Sequence, residues 1–139
     1  MVHALRETWR VLRPGGTLID LRPYSGLHPV EVLVDSQELD AGVLDETEAI
    51  PIDEAADRAI QQIADEGWFA RERDAEFDFL VYWESPVEMA EFVTANWQYT
   101  RVPDGLVEHA QNLMAGHSDA RLRVHLYPVR IVRYHKTSP

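Results

Sequence analysis

The sequence predicts an α/β chain of the α+β kind, a sheet with flanking helices, and three observations carry that reading. Apolar residues recur at helical spacing in separate short stretches, at Val2, Leu5, Trp9 and Leu12 and again at Ala56, Ala59, Ile60 and Ile63. From Trp68 the period changes to two, with Phe77, Phe79, Val81 and Trp83 alternating with Glu76, Asp78, Leu80 and Tyr82. Glycine and proline punctuate the joins, at Pro14-Gly15-Gly16, at Gly67 and at Pro103-Asp104-Gly105.

Taken in order, the first helix shows one apolar stripe, with Arg6, Glu7, Arg10 and Arg13 on its other faces. Pro14 cannot continue its hydrogen bonding, and the two glycines accept the positive φ that reverses the chain. Leu18, Ile19 and Leu21 then read as a strand covered on both faces. Arg22 to Pro29 is a loop by its two prolines and glycine. Residues 30–52 read as a hairpin or small extra sheet, with Val30, Val32 and Val34 on one face. Asp53 is expected to cap the second helix, which ends at Gly67. Ser85-Pro86 with Glu88 is a helix start: a hydroxyl cap, a proline in the first turn and a returning glutamate. Its core side is Met89, Phe92, Val93 and Trp97, and Leu106, Ala110, Leu113 and Met114 form a last short helix. The final strand runs from Leu122 to Tyr134 with a bend expected at Pro128.

The order Leu5-Arg6-Glu7, then Arg10-Val11-Leu12-Arg13-Pro14-Gly15-Gly16-Thr17-Leu18, resembles the helix, turn and strand that enter the fifth strand of class I S-adenosylmethionine-dependent methyltransferases. Ala64-Asp65-Glu66-Gly67-Trp68-Phe69 is similar to the helix end that introduces that family's sixth strand, which makes the C-terminal segment the seventh. The resemblance implies a partial methyltransferase-like (Rossmann-like) mixed sheet with an antiparallel C-terminal strand pair, residues 1–139 forming a single C-terminal-half domain. Basic Arg121, Arg123, Arg130, Arg133 and Lys136 would then lie across from acidic Glu72, Asp74, Glu76 and Asp78.

The same resemblance identifies what is missing. The family holds its cofactor on the first half, through a glycine-rich turn and an acidic residue for the ribose, and none of the seven glycines here stands in a Gly-x-Gly arrangement. The expectation is a non-catalytic binding or regulatory module of methyltransferase ancestry, with no catalytic or cofactor-binding residues and no S-adenosylmethionine binding of its own. The alternative is the substrate side of a methyltransferase, binding S-adenosylmethionine only when another chain or a preceding half completes it.

A net charge of −11 argues against nucleic acid and anionic membrane as partners, and no apolar run reaches the ~20 residues of a membrane span. Zero cysteines and no apolar leader fit a cytoplasmic protein. The six histidines show no i, i+4 pair and no His-Glu-x-x-His, so no metal site is expected. Ser25 lacks the Gly-x-Ser-x-Gly elbow of a serine nucleophile.

The candidate ligand site is the loop after the fifth-strand equivalent. Asp20, Arg22, Tyr24 and His28 place an acid, a guanidinium, a phenol and an imidazole within nine positions at a strand's carboxyl end, where open sheets bind ligands. A fifth-strand equivalent without its fourth-strand neighbour also has a bare edge. Either residues 30–52 pair with it, or two chains meet there, and a homodimer is expected.

Overall fold

The structure, a computed structural model, describes residues 1–137. In chain order it contains α1 (Val2–Val11), β1 (Thr17–Pro23), β2 (Leu27–Val34), β3 (Gln37–Asp45), a 3-10 turn at Thr47–Ala49, α2 (Ile50–Asp65), β4 (Phe69–Trp83), α3 (Pro86–Asn96), α4 (Leu106–Met114) and β5 (Arg121–Lys136). The strands form an open antiparallel sheet of five in the order β1-β5-β2-β3, with β4 also paired to β5. A mixed sheet was the expectation. The antiparallel one follows from β5, which runs opposite to both β1 and β2, while β2 and β3 form a hairpin.

The residues group into two compact units, with β4 and β5 contributing to both. The first contains Met1–Tyr24, Pro51–Phe77 and the chain from Pro128. Its core is Ile63, Phe69, Val132 and Tyr134, against which the α1 stripe of Val2, Leu5, Trp9 and Leu12 packs. Trp9 meets Trp68 edge-on at 4.8 Å, and its indole Nε1 donates to the Thr137 carbonyl at 3.0 Å. The end of α1 is satisfied from β5: Lys136 Nζ donates to the Leu12 carbonyl at 2.6 Å, a cation placed at a helix C-terminus. Gly15 takes φ +69°, and Gly16 is buried so close to the preceding turn that a Cβ there would lie 2.8 Å from the Arg13 carbonyl oxygen. Gly15 is therefore required by its backbone conformation and Gly16 by the close approach of the preceding turn.

Strand β1 is not covered on both faces. Ile19 and Leu21 are 50% and 55% exposed, because the face they share is the one that α1 and α2 leave bare. Helix α2 begins at Ile50, so Asp53 lies in its first turn and is not its cap; Thr47 and Asp45 organise the entry instead, the Asp45 Oδ1 accepting from the Thr47 amide at 2.9 Å. The predicted face of Ala56, Ala59 and Ile63 is buried.

The second unit contains Ser25–Ile50 and Asp78–Tyr127. Where residues 30–52 were expected to form a hairpin or small extra sheet, residues 27–45 form a hairpin, closed by Asp35 and Ser36 at φ 46° and 70°, the mirror-image turn that suits strand twist. The hairpin's partner is β5, with Val30 opposite Val124 and Val32 opposite Leu122, and not β1. Val30, Val32, Leu44, Met89, Val93, Ala110, Leu122 and Val124 form its core. Ser85 accepts from the Glu88 amide at 3.4 Å, as its sequence foretells. Phe92 stays 45% exposed while resting against the rings of Trp83 and Trp97.

Two readings of the long strands change. Phe77 and Phe79 are exposed at 40% and 52%, not buried on an apolar face. Of the expected β4–β5 charge pairs, Arg133 with Glu72 forms at 2.7 Å. Arg123 instead binds Glu31 and Glu38 at 2.6 and 2.8 Å, since β2 places Glu31 directly opposite it.

Candidate functional site

In the first unit, period two puts Leu18, Asp20 and Arg22 on the helix-covered face of β1. The antiparallel register sets them opposite Tyr134, Val132 and Arg130 of β5. The face therefore grades from apolar at the α1 end to charged at the Arg22 end. Arg22 and Arg130, directly opposed, are like charges that a bare sheet would not tolerate.

Two carboxylates resolve this conflict. Asp20 forks onto Arg22, with Oδ1 to Nε at 2.7 Å and Oδ2 to Nη2 at 2.9 Å. Asp57, projected from α2, accepts from Arg22 Nη2 at 2.6 Å and lies 3.8 Å from Arg130 Nη1. Asp20 raises the Arg22 guanidinium further above its ordinary value against the opposing effect of burial, and Asp57 adds to it. Arg130 donates to the Tyr24 hydroxyl, and that bond outweighs burial in raising its own value. Tyr24 is fixed in turn by its amide, which donates to the Pro128 carbonyl at 3.0 Å.

Three of the four residues expected at the site thus join one network: Asp20, Arg22 and Tyr24. His28 does not share it. The chain resumes a strand at Leu27, so His28-Pro29 belongs to β2 and not to a loop, and the imidazole is 1% exposed within the second unit. There its Nε2 pairs with Glu46 Oε2 at 2.8 Å, while Glu46 Oε1 accepts from Thr100 at 3.2 Å. Burial among apolar strands with a single carboxylate partner makes His28 a positioned core residue.

Beside the Asp20–Arg22–Asp57 network lies a cleft of about 560 Å³. Helix α2 supplies Asp57, Arg58, Ile60, Gln61 and Ala64, whose spacing is that of one helix face; β4 supplies Arg71, and β5 supplies Arg130 and Tyr134. The sequence reads Arg130 as a structural partner of β4 and Tyr134 as a residue of the final strand, and gives no role to Arg58, Gln61 or Arg71. The α2 stripe and the i, i+4 placement of Arg130 and Tyr134 on one strand face were signals in plain sight. Their convergence depended on which strand β5 would pair with.

Tyr134 is 4% exposed, and its hydroxyl hydrogen-bonds no described residue. Burial pushes its phenol up from the ordinary value, only partly countered by Arg130, so it remains a proton donor. The carboxylates near the cleft are tied to guanidinium groups, and no serine, threonine or histidine lines it. Such a donor set is chemically able to hold an anion; the lining contains no base and nucleophile pair. Among the described residues no group of three or more His, Asp or Glu is placed to hold a metal ion, and no helix is long and apolar enough to cross a membrane. Comparison of the chain with protein-family models, with curated proteins and with solved structures finds no match.

Proposed function

We propose that this chain is a non-catalytic binding or regulatory module derived from the C-terminal half of a class I methyltransferase, acting as a homodimer. The observation that carries the descent is the pairing of β4 with β5, the antiparallel C-terminal strand pair that the resemblance implies, joined to a helix-Pro-Gly-Gly-strand entry in the same unit. The lack of a Gly-x-Gly turn supports a module without its own cofactor site. The homodimer rests on β1. It stands at the end of the strand order with β5 as its partner, leaving the opposite edge open among the described residues, and it exposes Ile19 and Leu21 beside that edge. An open edge with apolar neighbours can pair with its own copy about a two-fold axis, burying both.

Two measurements test the reading separately. Titration with S-adenosylmethionine and S-adenosylhomocysteine should give no saturable binding in the micromolar range. Micromolar binding would overturn the non-catalytic module and favour the alternative, a substrate-side half that has kept its cofactor contacts. Light scattering should give a dimer at micromolar concentration, and Leu21→Lys should dissociate it without unfolding the chain, because the side chain is already 55% exposed. A monomeric wild type refutes the dimer and leaves the descent standing.

A further inference from the structure

We propose that the cleft formed by α2, β4 and β5 in the first unit binds a small organic anion, a carboxylate or phosphate monoester carrying an apolar or aromatic body. Three arginines reach this cleft from three different elements, Arg58 from α2, Arg71 from β4 and Arg130 from β5, against the single carboxylate of Asp57. That carboxylate is shared already with Arg22 at 2.6 Å. In a chain with a net charge of −11 and only 13 basic residues, this gathers three guanidinium groups around one cleft, each paired with a carboxylate: Arg58 with Glu54, Arg71 with Asp74 and Arg130 with Asp57. The other ion pairs of Arg58 and Arg71 are with exposed Glu54 and Asp74, 62% and 52% accessible, and water-facing pairs of that kind exchange readily for a better ligand.

The floor of the cleft points the same way. Tyr134 is 4% exposed and lines the cleft, and its hydroxyl makes no hydrogen bond to a described residue. That hydroxyl is a donor with no protein acceptor among the described residues, and an anion's oxygen can accept from it. Ile60 and Ala64 give the α2 wall an apolar stretch between the polar groups. At about 560 Å³ the space is far larger than an inorganic anion fills and falls within the range of small-molecule sites. The acidic remainder of the protein repels anions at long range, but screening over ~10 Å leaves the contact arginines to decide binding at the cleft itself. The inference rests on the geometry of one unit and does not depend on the descent proposed above.

The test uses the full chain titrated at an ionic strength of about 0.1 M with phenyl phosphate, benzoate, inorganic phosphate and benzyl alcohol, followed by calorimetry or amide chemical shifts. Phenyl phosphate or benzoate should saturate with a Kd of about 0.1–1 mM, inorganic phosphate should bind several-fold more weakly, and benzyl alcohol should not bind. The tighter of the two aromatic anions identifies the head group. The double variant Arg58→Gln/Arg71→Gln should weaken binding about tenfold with an unchanged melting temperature, since both side chains are at least half exposed. Tyr134→Phe, which keeps the ring in the core, should weaken it about three- to tenfold. Arg121→Gln, which does not line the cleft, should leave it unchanged. Absence of binding by either aromatic anion at about 10 mM, or equal affinity in the wild type and the double arginine variant, would overturn the proposal.

Discussion

Asp57 should be the most informative single position in the first unit, because it separates two arginines that the sheet register forces together. Arg22 and Arg130 are cross-strand neighbours, and Asp57 lies 2.6 Å from one and 3.8 Å from the other. Asp57→Asn keeps the shape and removes the charge. Two unit charges ~5 Å apart at an effective dielectric of about 20 repel by about 3 kcal/mol. The side chains are 25%, 22% and 38% exposed, so solvent screening reduces this, and Asp20 still neutralises part of Arg22. The expected loss is ~1–2 kcal/mol of folding stability at low salt. Urea melts at ~0.02 M and ~1 M NaCl measure it, and the deficit should shrink by half or more at high salt, where the Debye length falls to ~3 Å. Adding Arg22→Gln to Asp57→Asn should recover part of the loss, as a double-mutant cycle would show. An Asp57→Asn variant as stable as the wild type at low salt, or a deficit indifferent to salt, would refute the account of Asp57 as the counter-charge.

Two further outcomes follow from other parts of the molecule. In the second unit burial alone would raise the Glu31 carboxyl, but hydrogen bonds from Arg123 at 2.6 and 2.9 Å and from His125 at 2.8 Å overcome it and hold it below the ordinary range. A depressed folded-state value means stability that is present above the unfolded carboxylate's pKa and lost as pH falls through the folded one. The advantage of wild type over Glu31→Gln in urea should therefore be full near neutrality and vanish on acidification; an advantage that persists at pH ~2 would contradict this. At the first turn, Gly16→Ala should cost about 2 kcal/mol, read as a lowered melting temperature, since the added Cβ meets the Arg13 carbonyl oxygen at 2.8 Å and Leu12 side-chain atoms at 3.2 and 3.3 Å. A wild-type melting temperature for that variant would show that the turn can open freely.

The sequence by itself determined the local structure of this protein. The α1 stripe, the Pro14-Gly15-Gly16 reversal, the buried face of α2, the Ser85 cap and the turn at Asp35-Ser36 are set by contacts between residues a few positions apart, and helical or two-fold periodicity reports such contacts directly. Part of the candidate site was legible for the same reason, because Asp20 and Arg22 share a strand face by their spacing alone. Only the tertiary structure decided which strands meet. The choice of β5 as the partner of β1 sets Arg22 opposite Arg130 across more than a hundred positions of sequence, brings Tyr134 and Arg130 to the cleft, and leaves Ile19 and Leu21 uncovered. The choice of β5 as the partner of β2 places His28 in the second unit's strands, where Glu46 pairs with its Nε2, away from the loop role its neighbours suggested. Pairing partners and register depend on complementarity between distant segments, and a one-residue slip would have turned every one of these side chains to the other face.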